Sequence, residues 1–294
     1  MEKTYELMPN AKMLLSSLRS VGYTEETAIA DIVDNSISSG ANTIQLYFDW
    51  DDQTILIADN GKGMQKRELL DSMKIGSSDP GVTRSASDLG RFGMGMKTAS
   101  FSLGKQLLVI TKQKDEINNA EWNLEYVENE DKWEILIHSD EKIDTYIKSK
   151  TDKIEFQNWD EGTLISLSML DKLIDENNMQ KSKVKFYKTV EKVKKHLAMI
   201  FHRFIEEDNL QIYVNKNLLE AWNPFIRQNP ATMELACEEL FDGKTIVSIE
   251  PYILPHKTKF EDEEAFKKAG GAKDWLAHQG FYVYRNRRLI VYGT

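Results

Sequence analysis

Asp31 and Asn35 stand four residues apart in the stretch Thr24 to Ser38, where Ile29, Ile32, Val33 and Ile37 recur at helical spacing. On a helix the two polar side chains share one face, roughly opposite the Ile29/Val33 stripe. A carboxamide oxygen is a hard ligand suited to Mg²⁺, and a carboxylate one turn away can orient or deprotonate a water. The pair therefore suits a magnesium-nucleotide site. A solvated helix face ordinarily carries such residues too, so the spacing alone leaves both readings open.

Three further segments carry chemistry. In ADNGKGM, residues 58–64, Asp59 emerges from an apolar β-run, where a carboxylate without a partner is costly. Gly61 and Gly63 permit backbone geometry closed to other residues and let a flat ligand approach, while Asp59 can accept a hydrogen bond from an exocyclic amine such as that of adenine. A plain Asn-Gly turn would read the same way. In DLGRFGMGMKTAS, residues 88–100, Gly90, Gly93 and Gly95 precede a helix and leave its first amides free for phosphate oxygens. Lys97 opposes the helix dipole there, which a nearby anion would explain; a glycine-rich hinge is the alternative. Finally Glu161-Gly162-Thr163 opens a strand, and Thr163 could share a hydrogen bond with Asp59 and a base. Neither GxxxxGK[ST] nor a GxGxxG fingerprint occurs, and GKT at 243–245 lacks the upstream glycine.

The elements that must position these residues can be read from pattern. Thr24 is a plausible N-cap of the first helix, with Glu25 and Glu26 in its positive first turn. Strands are expected at 43–48, 54–58, 106–112, 121–127, 132–138 and 163–169, and a short helix at 66–73. Residues 75–88 have the Ser, Gly and Asp content of a mobile loop. Phe186, Val190, Val193, Leu197, Ile200, Phe201 and Phe204 mark one long helix over 181–205 with lysines on its other face, and a second α+β unit is expected from LQIYVN onward. Residues 281–292 read as two strands around a tight turn. Because the chain ends two residues after Tyr292, it is expected to be the N-terminal part of a longer protein.

Bulk properties exclude several classes. A length of 294 residues favours two domains, and 41% hydrophobic content a globular chain. A formal net charge of -9 argues against a chain-wide basic surface for nucleic acid. The one cysteine, Cys237, excludes internal disulfides and multi-cysteine zinc motifs and fits a reducing compartment. No HExxH spacing, signal core or membrane-length apolar run is present, so a cytoplasmic protein without a membrane association is expected.

Taken in order, DxxDN on a helix, strand then DNGKGM, a Ser/Gly-rich loop, GRFGMG at a helix start and EGT resemble the Bergerat ATP-binding fold of the gyrase, heat-shock chaperone, histidine kinase and MutL (GHKL) ATPases. KIGSSD, DLGRFGMGMKTAS, IYVNKNLLEAWNPF and QGFYVYRNRRLIVYG look most like bacterial MORC-like and MutL-like members, so the resemblance spans nearly the whole chain. It implies an α+β fold: a Bergerat-type sandwich, with helices on one face of a mixed, mostly antiparallel sheet, over residues 1–170. A linker helix at 171–207 and a βαβ-type transducer at 208–294, incomplete at its C-terminal end, would follow.

The resemblance also implies ATP and Mg²⁺ as cofactors. Asp31 would be the catalytic base and Asn35 the metal ligand. Asp59 would read the adenine amine, Gly61, Gly63 and Met64 would line the base pocket, and Thr163 would support the base through water. Residues 74–92 would form a lid beginning at Lys74, with Gly90, Phe92, Gly93, Met94, Gly95 and Lys97 around the phosphates. The partners implied are ATP or ADP, a second copy of the chain paired through ATP, and DNA or a protein. The chain would act as an ATP-driven dimerisation switch in DNA transactions or genome defence, or else as a nucleotide-gated binding module with negligible hydrolysis. One departure bears on rate. Relatives carry Glu where this chain has Asp31, and the missing methylene withdraws the carboxylate by about 1.5 Å. A misplacement near 1 Å can cost about a hundredfold.

Overall fold

The computed structural model describes residue 5 and residues 10–20, 22–76, 95–241, 243, 246–271, 275–276 and 278–293. The chain divides into two compact units, Met1–Leu197 with Glu207–Leu219 and Ala198–Glu206 with Glu220–Thr294.

The first unit opens with helices α1 (Ala11–Arg19) and α2 (Glu25–Ser38), then strands β1 (Thr43–Asp49) and β2 (Thr54–Asp59). Thr24 caps α2 as expected: its backbone N–H donates to Thr27 Oγ1 at 3.1 Å and its own hydroxyl accepts from Thr27 N at 3.4 Å. Helices α3 (Lys66–Met73) and α4 (Gly95–Leu103) come next, then β3 (Gln106–Gln113) and β4 (Glu116–Asn123). Helices α5 (Leu124–Glu130) and α6 (Asp140–Lys148), strand β5 (Gly162–Ser168) and the long helix α7 (Met179–Ile200) complete the run. After α8 (His202–Glu207), strands β6 (Gln211–Val214) and β7 (Asn217–Leu218) return to this unit.

Seven strands form one sheet in the order β4-β3-β5-β2-β1-β6-β7. All neighbours are antiparallel except β1 and β6, so the mixed, mostly antiparallel α+β sandwich expected from sequence is what forms. Side-chain alternation explains why central β2 is buried throughout. Leu56 and Ala58 join a core with Ile143, Ile147, Ile154 and Phe156 from α6 and the segment after it. Their neighbours Ile55, Ile57 and Asp59 therefore face the opposite side, where Asp59 meets Ser36 of α2. Helix α2 packs against α4, and both carry small buried residues, Ala28 and Ala30 in α2 and Ala99 and Ser100 in α4.

Four local readings change. The strand expected at 121–127 runs instead from Glu116 to Asn123, because Asn123 accepts a hydrogen bond from Tyr126 N at 3.1 Å and starts α5. The stretch 132–138 contributes one isolated bridge, Glu121 to Leu136. The helix expected over 181–205 is divided at Phe201 into α7 and α8, with no Gly or Pro at the break. The strand at LQIYVN pairs in parallel with β1 within the main sheet.

The second unit holds β8 (Met233–Glu234), β9 (Glu238–Phe241), β10 (Ile246–Ile249), β11 (Tyr252–Ile253), α9 (Glu263–Ala269), β12 (Val283–Arg285) and β13 (Arg288–Val291). They pair as two-stranded antiparallel sheets, so the parallel pair of a βαβ unit is not among the described residues here. The tight turn expected within 281–292 is formed by Asn286 and Arg287, both at positive φ. His202, Phe225, Tyr252, Tyr282 and Tyr284 build an aromatic core, Phe225 stacking on Tyr252 at 4.4 Å.

Candidate functional site

Strand register sets the centre of the site. Asp59 on β2 is paired with Thr163 on β5, and Thr163 with Thr111 on β3. The three side chains form a polar row at one end of the sheet, beside an apolar row of Ile57, Ile165 and Val109. All three are buried, Thr111 fully. Thr111 Oγ1 lies 3.5 Å from Thr163 Oγ1, donates to the Gly162 carbonyl at 3.1 Å and accepts from Met64 N at 2.8 Å.

Asp59 is 4% exposed. Its Oδ2 accepts from Ser36 Oγ at 2.8 Å and its Oδ1 from Gly61 N at 2.9 Å. Burial pushes the carboxyl up from its ordinary range, and the bonds from Gly61, Ser36 and the Thr163 backbone oppose that rise. Each carboxylate oxygen has two acceptor sites, so the group retains capacity for another donor.

The loop after Asp59 is threaded between helix and sheet. A Cβ at Gly61 would lie 1.9 Å from Ser39 Oγ, and one at Gly63 would lie 1.8 Å from the Lys112 carbonyl oxygen. Gly63 also has φ +62, where an L side chain is strained. Lys62 N donates to Ser39 O at 3.2 Å, tying the loop to the end of α2. Asn60 faces the other way, its Oδ1 accepting from Asn42 N and Thr43 N at 3.0 and 2.9 Å.

On α2, Asp31 is half-buried and Asn35 exposed. Tyr23 Oη donates to Asp31 Oδ2 at 2.7 Å. Asn35 Nδ2 donates to the Asp31 carbonyl at 3.0 Å, so the amide nitrogen is used within the helix and Oδ1 is its remaining polar atom. Asp34, facing the core from the same helix, is buried.

Gly95 is the first residue of α4, and among the described residues no atom stands within 4 Å of where its Cβ would be. Lys97, two residues on, is 3% exposed, and its Nζ donates to Ser72 O at 2.6 Å. Burial lowers its pKa to about 8. Trp122 Nε1 donates to Met73 O at 2.9 Å, so two side chains satisfy carbonyls of the last turn of α3. Lys74, at the end of that helix, is exposed and paired with Asp71 at 2.6 Å. Gly90, Phe92, Gly93 and Met94 lie outside the described residues.

The structure thus brings Asp59, Gly61, Gly63, Met64 and Thr163 together, with Asp31 and Asn35 on the neighbouring helix. Ser36, Ser39 and Thr111 share that centre and were not singled out from sequence. Ser36 lies one residue after Asn35 on the inward face of α2, a signal that was available. The oxygen donors of Asp31 and Asn35 suit a hard cation that keeps several waters and binds through phosphate. Among the described residues no group of three or more His, Cys, Asp or Glu is placed to hold a metal ion. Nor is any described helix long and apolar enough to cross a membrane.

Residues 23–160 match the family described as Histidine kinase-, DNA gyrase B-, and HSP90-like ATPase. The chain is 33% identical over 121 residues to ATPase morc-1 of Caenorhabditis elegans, covering 40% of this chain and 14% of that protein. It is 28% identical over 109 residues to MORC family CW-type zinc finger protein 3 of Mus musculus, covering 35% of this chain and 11% of the relative. Human ATPase MORC2 is 25% identical over 119 residues, with 38% and 11% covered. The match spans a small part of each relative. The family match includes the Asp31 helix and the Asp59 loop and ends just before Thr163.

Proposed function

We propose, from the premise that residues 23–160 are a GHKL-type, MORC-like ATPase domain, that this chain binds Mg-ATP in the pocket over the Asp59 row and hydrolyses it slowly. The observation that carries the reading is the register of Asp59, Thr163 and Thr111 across three adjacent strands. It sets a buried carboxylate beside a glycine loop held close to α2 and β3. The exocyclic amine of adenine donates to Asp59, and Thr163 supports the base through water. Gly61 and Gly63 let the loop lie close against Ser39 and Lys112, and Met64 is fixed by its bond to Thr111. The phosphates extend toward the start of α4, where Gly95 offers its amide and Lys97 a cation.

Asn35 Oδ1 would hold Mg²⁺, which neutralises charge on the phosphate oxygens. Asp31 orients the attacking water and accepts its proton. With a side chain about 1.5 Å shorter than Glu, turnover is slow. Contacts made to the γ-phosphate only in a closed state would let ATP pair two copies of the chain, and hydrolysis release them. Calorimetric titration with ADP and a non-hydrolysable ATP analogue, with particle mass measured in each state, tests binding and pairing together. Equal ATP-analogue affinity in the parent and Asp59→Asn proteins would remove the proposed site.

A nucleotide-gated module that binds DNA with negligible turnover is the second reading. What favours it is α7, where Lys181, Lys185, Lys188 and Lys192 recur along one stripe of a groove of about 430 Å³. Glu25, Asp171 and Asp175 share that groove, so its charge is mixed. Binding to duplex DNA that weakens steeply with salt would support this reading, and a flat response would count against it.

A further inference from the structure

We infer that Tyr23 is a positioning residue for Asp31, an inference that rests on the hydrolytic reading above. Tyr23 Oη meets Asp31 Oδ2 at 2.7 Å, a distance typical of a hydroxyl bonded to a carboxylate. The phenol comes from outside the helix that carries the acid: Tyr23 immediately precedes the N-cap Thr24. The reciprocal bonds between Thr24 and Thr27 fix the backbone at that point, so the half-buried ring is delivered from an anchored position.

Asp31 itself has two side-chain torsions and sits on a partly exposed helix face. Tying Oδ2 to a ring held at the helix start restricts both torsions and sets the direction in which Oδ1 points. The bond from Asn35 Nδ2 to the Asp31 carbonyl ties the same turn from its other side. A Glu at this position would carry its carboxylate about one carbon–carbon bond further out, away from the place the phenol reaches. Tyr23 and Asp31 are therefore a matched pair. The hydroxyl supplies in orientation what the shorter acid lacks in reach, and Tyr23 touches the acid without touching the reacting atoms.

The test measures kcat and KM for ATP, the dissociation constant of a non-hydrolysable analogue, and the thermal midpoint. The proteins are the parent chain, Tyr23→Phe, Asp31→Asn, Asp31→Glu, Tyr23→Phe/Asp31→Asn and Tyr23→Phe/Asp31→Glu. Tyr23→Phe should lower kcat roughly 10- to 100-fold, the scale of a misplaced catalytic group, with KM and analogue binding within about twofold of the parent. Adding it to Asp31→Asn should cost nothing further. Asp31→Glu should recover more turnover in the Tyr23→Phe background than in the parent. A Tyr23→Phe protein with parental kcat beside an inactive Asp31→Asn protein would overturn the inference and leave the hydrolytic reading standing. Loss of analogue binding and thermal midpoint along with kcat would overturn it in favour of a structural role. Unchanged turnover in Asp31→Asn, or a parent chain that binds ATP without hydrolysing it, would remove both at once.

Discussion

Replacing Thr111 by Val keeps the branched shape of the side chain and deletes one buried oxygen, so it isolates what that oxygen does. In the parent protein Oγ1 accepts from Met64 N at 2.8 Å and donates to the Gly162 carbonyl at 3.1 Å. Leaving a buried amide without an acceptor costs about 1–3 kcal/mol, and the second lost bond about 0.5–1.5 kcal/mol. A methyl in place of the hydroxyl returns roughly 1 kcal/mol of apolar burial. The net loss is about 2 kcal/mol, or a fall of roughly 4–8 °C in thermal midpoint for a unit of this size.

Nucleotide binding should suffer more than stability. Met64 N holds the far end of the loop that begins at Asp59, and its release lets the pocket wall move before a ligand arrives. ADP affinity measured by calorimetry should therefore drop by tenfold or more in Thr111→Val. Thr111→Ser keeps the hydroxyl, loses about 1 kcal/mol with its methyl, and should bind ADP as the parent does. Should Val bind normally while Ser loses affinity, the methyl rather than the hydrogen-bonded row would be forming the pocket, and the reasoning would fail.

Gly63→Ala should abolish ADP binding in the same titration, because its Cβ would stand 1.8 Å from a backbone carbonyl at φ +62, whereas Gly95→Ala, with no described atom within 4 Å of its Cβ, should not lower the thermal midpoint. Asp59→Asn should become more stable relative to the parent as pH rises. Burial raises the folded pKa of Asp59, so whatever stability its neutral form contributes is present in acid and lost as pH climbs through that value, while Asn carries no such dependence; urea denaturation from pH 4 to 7 reads the difference. Lys97, lowered to about 8 by burial, is deprotonated earlier in the folded than in the unfolded chain. Its contribution to stability should thus rise with pH between about 8 and 10.5, and ADP affinity should fall as pH rises above about 8 by at most about tenfold per pH unit, both slopes vanishing in Lys97→Met.

Much of this site can be read from residue order because its parts are local. Thr24 marks the start of α2, the period of Ile29, Ile32 and Val33 fixes which face Asp31 and Asn35 occupy, and an apolar run ending in Asp-Asn-Gly marks the exit from β2. Nothing about Thr111 distinguishes it in QLLVITKQ. It acquires its role from β3 lying beside β5 and β5 beside β2, a strand order that depends on contacts 50 and more residues apart. The same non-locality hides the pairing of β6 with β1. Lys97 shows a different limit. Its place in the first turns of a glycine-led helix suggests an anion, while the structure also gives it the carbonyl of Ser72 to satisfy. A carbonyl at the end of one helix answers the same electrostatic need as a phosphate at the start of another, and charge patterning cannot separate the two.

The polar row has a stability cost that bears on how the site works. A carboxylate as buried as Asp59 is held off its ordinary pKa, and the bonds from Gly61, Ser36, Thr163 and Ser39 offset that cost only in part. Apolar residues at 59, 111 and 163 would continue the rows of Ile57, Val109 and Ile165 and pack the sheet end more cheaply. Retaining the row makes sense if it is completed by a ligand that donates to Asp59 and lies flat against the glycine loop. The donors from Ser36 and Gly61 already fix both oxygens, so the ligand meets an oriented carboxylate and need not order one. Purine recognition is then a property of the sheet and α2. The proposed phosphate end draws on α4, and the rest of the lid expected at 74–92 lies largely outside the described residues.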